Sequence, residues 1–460
     1  MLQKYVWRLG RRISFFRHPD LCASSKILNF RIKLCRNKTD YVFPQLELDF
    51  DYICNPTNTD TIRENIKNRK GVGDIDKILK LKQKVENLKQ KAELDVSDRK
   101  LLKQLQDELL YEANNIPNVT HPDVLKRSDE PVELELFGKK PKFDFEPVQF
   151  HLNAKNLGIL RMDFLGQFSN ERSYQFKGHL AKLEQALINY CVERLVKKGF
   201  DLVSVPDILH PKILERCGMI TAGNPHTQIY HIKPSPIGEA SLSGTAEMAL
   251  AAYFMDSKLS YEELPQKKVA VSRCFRAEIG GGIKLEKGIY RVHQFTKVEM
   301  FGVTANETKS ESEELLNELL SIQKEFISDF GLHFKVLDMP SAELAAAAYR
   351  KYDIEAWMPG KGLYGEVTSA SNCTDYQSRR LGIKYYNKDN ILRFAHTVNG
   401  TACAVPRLIT SIFETHQNKD GSVTIPEVLR PYMNGLEKID KSASSEIMYY
   451  MMTEKKLKRL

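Results

Sequence analysis

Four short stretches of this 460-residue chain pair residue types that together can hold a small charged molecule. In the first, Arg276-x-Glu278 closes the β-branched run VAVS and precedes three consecutive glycines, Gly280 to Gly282, then Lys284, Glu286 and Lys287. A guanidinium presents a planar fork of donors to a phosphate or carboxylate, and a carboxylate accepts from an amino group. A second run, Gly288 to Phe301, carries another acid, Glu299, near its end. Strand, polar loop and strand make a hairpin with an over-long connection, and long loops inside compact domains are usually functional. Residues two apart on a strand face the same way, which predicts Arg276 and Glu278 side by side. An exposed hairpin with ion pairs is the plainer alternative, and the Arg-x-Glu pair alone favours it.

The other three stretches shift that balance. LSGTAEMALAAYF contains Thr245-x-Glu247, a hydroxyl and a carboxylate at the end of a strand; taken alone it reads equally as a helix N-cap. GEVTSASNCTDYQSRR places Glu366, Ser369 and Asn372 on one short polar run. NGTACAVPR, from Asn399 to Arg407, reads as a turn into the apolar helix LITSIFE and presents Thr401 and Arg407. No glycine-rich strand-to-helix phosphate loop occurs; the three glycines lie between strands, where they give mobility rather than a helix-terminus cradle.

These stretches need a scaffold. Arg172 to Gly199 has a long helical pattern with Leu180, Leu183, Leu187 and Leu195, and the strand FDLVSVPDIL follows it. Pro206 puts that strand at a sheet edge or an interface. Nearer the N-terminus, Thr61 to Lys70 reads as a short basic helix. Ile75 to Lys91 carries Ile78, Leu81, Val85 and Leu88 at 3-4-3 spacing, and a second run carries Leu102, Leu105 and Leu109, with Ser97 or Asp98 as its N-cap. Together they predict an antiparallel helical hairpin over about 75–115, each helix reaching roughly 25 Å at 1.5 Å per residue. Residues 63–105 hold thirteen Lys or Arg against seven Asp or Glu. A basic hairpin suits a phosphate backbone; a solvated helical face is the alternative.

The net charge of +9 is uneven, because residues 1–39 carry ten basic residues and one acid, and the rest carries 58 of each sign. The body therefore has no charge excess. The leader is Arg-rich and contains serines. Tyr5, Val6, Leu9, Ile13 and Phe16 recur near helical spacing opposite Arg8, Arg11 and Arg12. That pattern fits a mitochondrial presequence, with a basic nucleic-acid-binding arm as the alternative. No apolar run reaches the length of a membrane span. None of the eight cysteines forms a C-x-x-C pair, so neither a zinc site nor a disulfide framework is indicated, and free thiols in a reducing compartment such as the matrix are expected.

In chain order, T-x-E, F-R-x-E with R-V-H-Q-F-x-K-V-E, E-V-T-S-x-S-N-C, N-G-T-x-C-A-V-P-R and D-G-S-V-x-I-P-E-V-L closely resemble seryl-tRNA synthetase, a class II aminoacyl-tRNA synthetase. HTVNGTACAVPR and YDIEAWMPG look most like the animal mitochondrial form. The resemblance spans roughly residues 60–435 and is weakest in the hairpin. It implies an α+β fold, an antiparallel sheet flanked by helices, with the helical hairpin as a tRNA-binding arm. It implies a presequence over 1–39, an N-terminal tRNA-binding domain over 40–150, a catalytic domain over 151–440 and a tail over 441–460. The long helix and proline-bearing strand resemble the family's dimer-forming motif 1, so a homodimer is expected.

The implied reaction is activation of L-serine with ATP and transfer to tRNA(Ser) in the mitochondrial matrix. By resemblance, Arg276 holds the α-phosphate and the serine carboxylate, and Glu278 reads the adenine amino group. Phe295 and Arg407 cover the two faces of adenine, with Val292 beside the nucleotide. Glu366, Val367, Thr368 and Ser369 complete the ATP site, and Glu366 and Ser369 ligate Mg²⁺. Thr245, Glu247, Glu299 and Thr401 take the serine ammonium and hydroxyl. Thr401 and Thr368 stand where serine is common in the family, and each keeps a hydroxyl. On the hairpin, Lys77, Lys80, Lys84, Lys89, Arg99 and Lys103 are expected to contact tRNA phosphates. Two other readings compete. A catalytically inactive paralogue that binds tRNA or protein would be expected to lose Arg276, Glu278, Glu299 or Arg407, and all are present. A class II-like enzyme charging a carrier protein should lack the hairpin.

Overall fold

The computed structural model describes residues 43–441 apart from 70, 92, 128, 163–164, 166–168, 170–171, 220–227, 236–237 and 279–287. The basic leader, Gly280 to Gly282 and the tail beyond Lys441 lie outside the described residues. Eight strands form the central sheet: β1 (Val132–Phe137), β2 (Asp201–Leu202), β3 (Gln266–Phe275), β4 (Gln294–Thr304), β5 (Phe334–Asp338), β6 (Arg350–Met358), β7 (Leu363–Thr374) and β8 (His396–Ala404). Their spatial order is β1-β5-β6-β7-β8-β4-β3-β2, antiparallel throughout except for the short parallel pairing of β2 with β3.

The helices that bear on the site are α1 (Thr59–Asn68), α2 (Ile75–Lys89), α3 (Val96–Asn114), α4 (Gly178–Lys197), α5 (Ala246–Tyr253), α6 (Glu311–Asp329), α7 (Tyr376–Leu381) and α8 (Val405–Thr415). Alternation along β4 explains how they divide the sheet. Val298 and Met300 join Leu183 and Leu187 of α4 and Leu315 and Leu319 of α6 in one buried cluster. A Cβ at Gly302 would lie 2.3 Å from Leu315, so glycine lets α6 seat there. Phe295, Lys297 and Glu299 alternate with these residues and face the other way. One face of the strand is thus apolar and helix-covered, while the other carries Lys297 and Glu299 and, further along, Phe301 and Val303 packed in a second buried cluster with Ala246 and Ala249 of α5.

Several sequence expectations shift. The helix read over Arg172 to Gly199 is α4, starting only at Gly178, because Gln175–Phe176 pairs as a strand with Leu160–Arg161. FDLVSVPDIL is two short strands rather than one: β2 runs at the sheet edge, and Ile208–Leu209 pairs elsewhere, with Pro206 between them. The NGTACAVPR stretch is no turn, for β8 runs through Ala404 directly into α8. The Glu366–Asn372 run is part of β7, twelve residues long and interior to the sheet. Main-chain pairing on both sides overrides its polar composition there.

Helices α2 and α3 bury Ile75, Ile78, Leu81, Val85 and Leu88 on one side and Leu109 and Ala113 on the other. Lys77 near the start of α2 reaches Glu112 near the end of α3, and Lys91 just after α2 meets Asp98 at the start of α3, so the pair runs antiparallel. Asp95, not Ser97 or Asp98, caps α3, its carboxylate accepting from the Asp98 N–H at 2.7 Å. The base of this hairpin is tied to the sheet body by buried polar side chains. Arg69 donates to the carbonyls of Asn118, Ala345 and Ala348, and Arg380 of α7 donates to the Asn114 side chain (3.0 Å) and carbonyl (3.2 Å). No helix among the described residues is long and apolar enough to cross a membrane.

Candidate active site

Arg276, Glu278, Val292, Phe295 and Arg407 line one cleft at the ends of β3, β4 and β8, with Ile289, Tyr290 and Pro406. Thr245, Arg276 and Glu278 also line an adjoining cavity of about 280 Å³, so the arginine and the acid form a shared wall. They come together for a different reason than strand parity. Both lie just beyond the end of β3, and Glu278 takes a left-handed backbone with φ 49°, uncommon for a residue with a Cβ. Three partners fix it there. Its N–H donates to Gln228 (2.9 Å), its carbonyl accepts from Arg172 (2.7 Å), and its carboxylate meets Arg291 (3.1 Å). Such conformations persist where surroundings over-determine them, commonly at functional sites. Arg276 itself lies over the Phe295 ring, 5.4 Å from its centroid.

The opposite wall is built on β7 and α8. Arg407 sits in the first turn of α8 and pairs with Glu366 at 3.1 Å. Burial opposes ionisation of Glu366, yet Arg407, Lys351 and Arg276 together bring its carboxyl down to about 2. Glu366 reciprocally outweighs burial and holds the Arg407 guanidinium up. Tyr290 closes this wall, its hydroxyl donating to the Glu366 carbonyl (2.7 Å) and its ring lying 4.7 Å from the Arg407 guanidinium. Glycine at 365 leaves room for this closure, since a Cβ there would stand 2.9 Å from the Tyr290 hydroxyl and 2.4 Å from the Met358 methyl, and both would have to give way.

Glu366 and Ser369 are three apart, an odd spacing that would put them on opposite faces of a regular strand. The register against β6 slips between Ile354 and Glu355: Thr368 faces Ile354, and Glu366 faces Glu355. That bulge adds one residue to β7 and restores Glu366 and Ser369 to one face, both half-buried, while Val367 and Thr368 between them are buried. The Thr368 hydroxyl donates to the Thr401 carbonyl, so of the predicted nucleotide contacts Val367 and Thr368 could contribute only main chain. Asn372 bonds Ser312 of α6 instead (3.0 Å). Opposite Ser369 stands Asp353, one of whose carboxylate oxygens is buried without a hydrogen-bond partner.

Strands β4 and β8 also carry a buried polar cluster. Glu299 pairs with Lys297 at 2.5 Å, and both are nearly inaccessible. Thr401, opposite Glu299 in the ladder, bonds both of them, at 3.2 and 3.3 Å. Thr245 caps α5, its hydroxyl accepting from the Glu247 N–H at 3.3 Å, so the helix-cap reading of that pair holds alongside its place on the cavity wall. Glu247 is pushed up to about 7 by burial and then by the neighbouring Glu299.

Sequence reasoning missed several residues that position this site. Gln323 of α6 donates to the carbonyls of Ser369 and Thr401, at 2.8 Å each, and so ties together β7 and β8, both of which take part in irregular pairings. Gln377, Lys297, Tyr290, Arg291 and Gln228 complete the set. No spacing rule marks them, although the buried, polar character of Lys297, two residues from Glu299 on the same strand face, is a signal once the strand is placed. Among the described residues, no group of three or more His, Cys, Asp or Glu is disposed to hold a metal ion, and the described cysteines are all free.

On the hairpin, Lys80, Lys84, Lys89, Arg99 and Lys103 line the outer faces of the two helices and all are exposed. Lys77 differs from the expectation of a free cation: it bridges Glu108 (3.1 Å) and Glu112 (2.7 Å) across the two helices.

An antiparallel sheet whose polar face carries paired arginines, an aromatic ring and carboxylates is the core of a class II aminoacyl-tRNA synthetase. Residues 231–416 match the family described as tRNA synthetase class II core domain (G, H, P, S and T). The chain is 47% identical over 348 residues to the mitochondrial serine–tRNA ligase of Mus musculus, covering 75% of this chain and 66% of that protein's length. It is 41% identical to the serine–tRNA ligase of Rubrobacter xylanophilus over 72% of this chain and 77% of that one. The crystal structure of seryl-tRNA synthetase from Pyrococcus horikoshii complexed with ATP superposes with a TM-score of 0.75 at 29% identity, over 85% of this chain and 99% of that one. The chain belongs to the seryl-tRNA synthetase family.

Proposed function

We propose that this protein is a serine–tRNA ligase of mitochondria, activating L-serine with ATP and passing the seryl group to tRNA(Ser). The observation that carries the reading is the Arg276–Glu278 wall shared by a cleft lined by Phe295 and Arg407 and a small cavity lined by Thr245, together with the buried cluster of Thr401, Glu299 and Lys297 on β4 and β8. In-line attack of a carboxylate on the α-phosphate needs positioning and charge neutralisation rather than a protein nucleophile. Arg276 at the junction would hold both reacting groups. Adenine would lie between Phe295 and Arg407, with its amino group on Glu278. The ammonium and hydroxyl of serine would bond Glu247, Thr245, Glu299 and Thr401. A site built to pair a hydroxyl rejects analogues lacking it by roughly 10⁴-fold or more, because its buried polar groups are left unpaired.

The bulged face of β7 suits a hard divalent cation, since it offers the ionised Glu366 and the Ser369 hydroxyl together. Mg²⁺ is held by one or two protein oxygens plus substrate phosphates, where it neutralises phosphate charge. The arm α2–α3 would grip the tRNA backbone through Lys80, Lys84, Lys89, Arg99 and Lys103, and α4 with β2 would face a second copy of the chain. Support for a mitochondrial location is the Arg-rich leader and the similarity to the mouse mitochondrial enzyme. The test is ATP–pyrophosphate exchange with each of the twenty amino acids. Serine alone should support exchange; exchange with another amino acid, or with none, would overturn the assignment.

A further inference from the structure

Gln377 lies in the GEVTSASNCTDYQSRR stretch but has no role assigned from the sequence, yet it is fully buried and both ends of its amide are engaged. Its Nε2 donates to the Glu247 carboxylate at 2.7 Å, and its Oε1 accepts from the Thr397 hydroxyl of β8 at 2.8 Å. The second bond matters because it sets which end of the amide faces the acid: with a hydroxyl donating to the oxygen, the nitrogen is turned to Glu247. The short helix α7 that carries Gln377 is itself clamped. Arg380, one turn on, lies 3.4 Å over the Tyr376 ring and bonds Asn114 at the base of the hairpin. The donor thus rests on a rigid support outside the cavity. Glu247 has one oxygen held by Gln377, and the other has no hydrogen-bond partner among the described residues.

We propose that Gln377 is a positioning residue for amino-acid recognition: it pins one oxygen of Glu247 so that the other meets the ammonium of serine. This rests on the serine-activating role proposed above. Around Glu247 stand Glu299 and Lys297 of β4, Arg276 beyond β3, and the thiols Cys217 and Cys373. Glu299 pushes the Glu247 carboxyl up, while Lys297, Gln377 and Arg276 pull it down. An ammonium needs Glu247 ionised. Removing the donor should raise the pH at which ionisation occurs, so the acid limb of kcat/KM for serine should move to higher pH.

The experiment compares wild type, Gln377→Met and Thr397→Val in full-length protein by pyrophosphate exchange across pH. A hydrogen bond to a charged group is worth about a tenfold change or more in affinity. Gln377→Met should therefore raise KM for serine about tenfold, leave KM for ATP within about twofold, and shift the acid limb upward. Thr397→Val removes only the hydroxyl that orients the amide and should move the same quantities less, about threefold. A rise in both KM values together, or an unmoved acid limb, overturns the proposal and reduces Gln377 to a packing role. If Gln377→Met does not fold, Thr397→Val decides, and wild-type behaviour there overturns it. Failure of the wild type to exchange with serine would instead overturn the ligase reading.

Discussion

The buried cluster on β4 and β8 and the helical hairpin use the same residue types in opposite ways. Inside the sheet body, Lys297 and Glu299 are 7% and 2% exposed at the side chain and share Thr401 between them. On the hairpin, Lys77 and Glu108 form a comparable pair with side chains 43% and 47% exposed. Water screens the second pair and not the first. An exposed pair contributes about 0–1 kcal/mol, whereas removing one member of a buried pair leaves an uncompensated charge and costs about 3–5 kcal/mol. A lysine–glutamate pair therefore has no fixed meaning. Burial decides whether it organises a site or decorates a surface.

The largest effect should come from breaking the buried pair on one side only. Lys297→Met should lower unfolding free energy by about 3–5 kcal/mol in urea titration, while the double variant Lys297→Met/Glu299→Leu recovers much of the loss. A single variant as stable as wild type would show that water reaches Glu299. Next comes Arg276→Ala, which removes a charge contact at the junction of the two clefts. Transition-state stabilisation should fall by at least about 3 kcal/mol, read as pyrophosphate exchange, with the melting temperature nearly unchanged. Near-normal exchange would separate Arg276 from the chemistry.

Much of this contrast was legible in the sequence where short-range rules apply. The spacing of Ile78, Leu81, Val85 and Leu88 predicts α2, and all four are buried. Thr245, Arg276, Glu278 and Arg407, from the T-x-E, F-R-x-E and N-G-T-x-C-A-V-P-R stretches, line the two clefts. What could not be read is register. A bulge at Val367 and Thr368 decides whether Glu366 and Ser369 share a face, and it depends on pairing with β6, a separate segment of the chain. The left-handed turn at Glu278 depends on Gln228 and Arg172, 50 and 106 residues upstream. Asp95 wins the α3 cap over Ser97 because its carboxylate reaches the Asp98 N–H from the residue just before the helix. Lys77 reads as one more basic residue until the antiparallel pairing brings Glu112 beside it.

A smaller effect belongs to the other hairpin lysines. Replacing Lys80, Lys84, Lys89 and Lys103 with glutamine should weaken tRNA binding and flatten its salt dependence by about 0.7–0.9 for each phosphate no longer neutralised, with pyrophosphate exchange unchanged. If exchange falls in step with aminoacylation, the hairpin supports the catalytic body. If neither changes, tRNA is held elsewhere.

The smallest effect, and the sharpest division within the hairpin, should come from Lys77. Its ammonium already has two carboxylate partners, Glu108 and Glu112, across the helix pair. Those partners hold its proton more tightly than usual, the Glu112 bond most of all. A phosphate approaching Lys77 would have to displace at least one of them and would meet the negative charge of both. Lys77→Gln should therefore leave the salt dependence of tRNA binding unchanged, in contrast to Lys80→Gln about one turn further along α2. Its cost should appear in the fold, as a small loss of hairpin stability that vanishes at high salt. The comparison is made by measuring tRNA affinity against salt for the two single variants together. A reduced slope for Lys77→Gln would mean that the Glu108 and Glu112 pairs open when tRNA binds, and that the hairpin exchanges internal ion pairs for phosphate contacts.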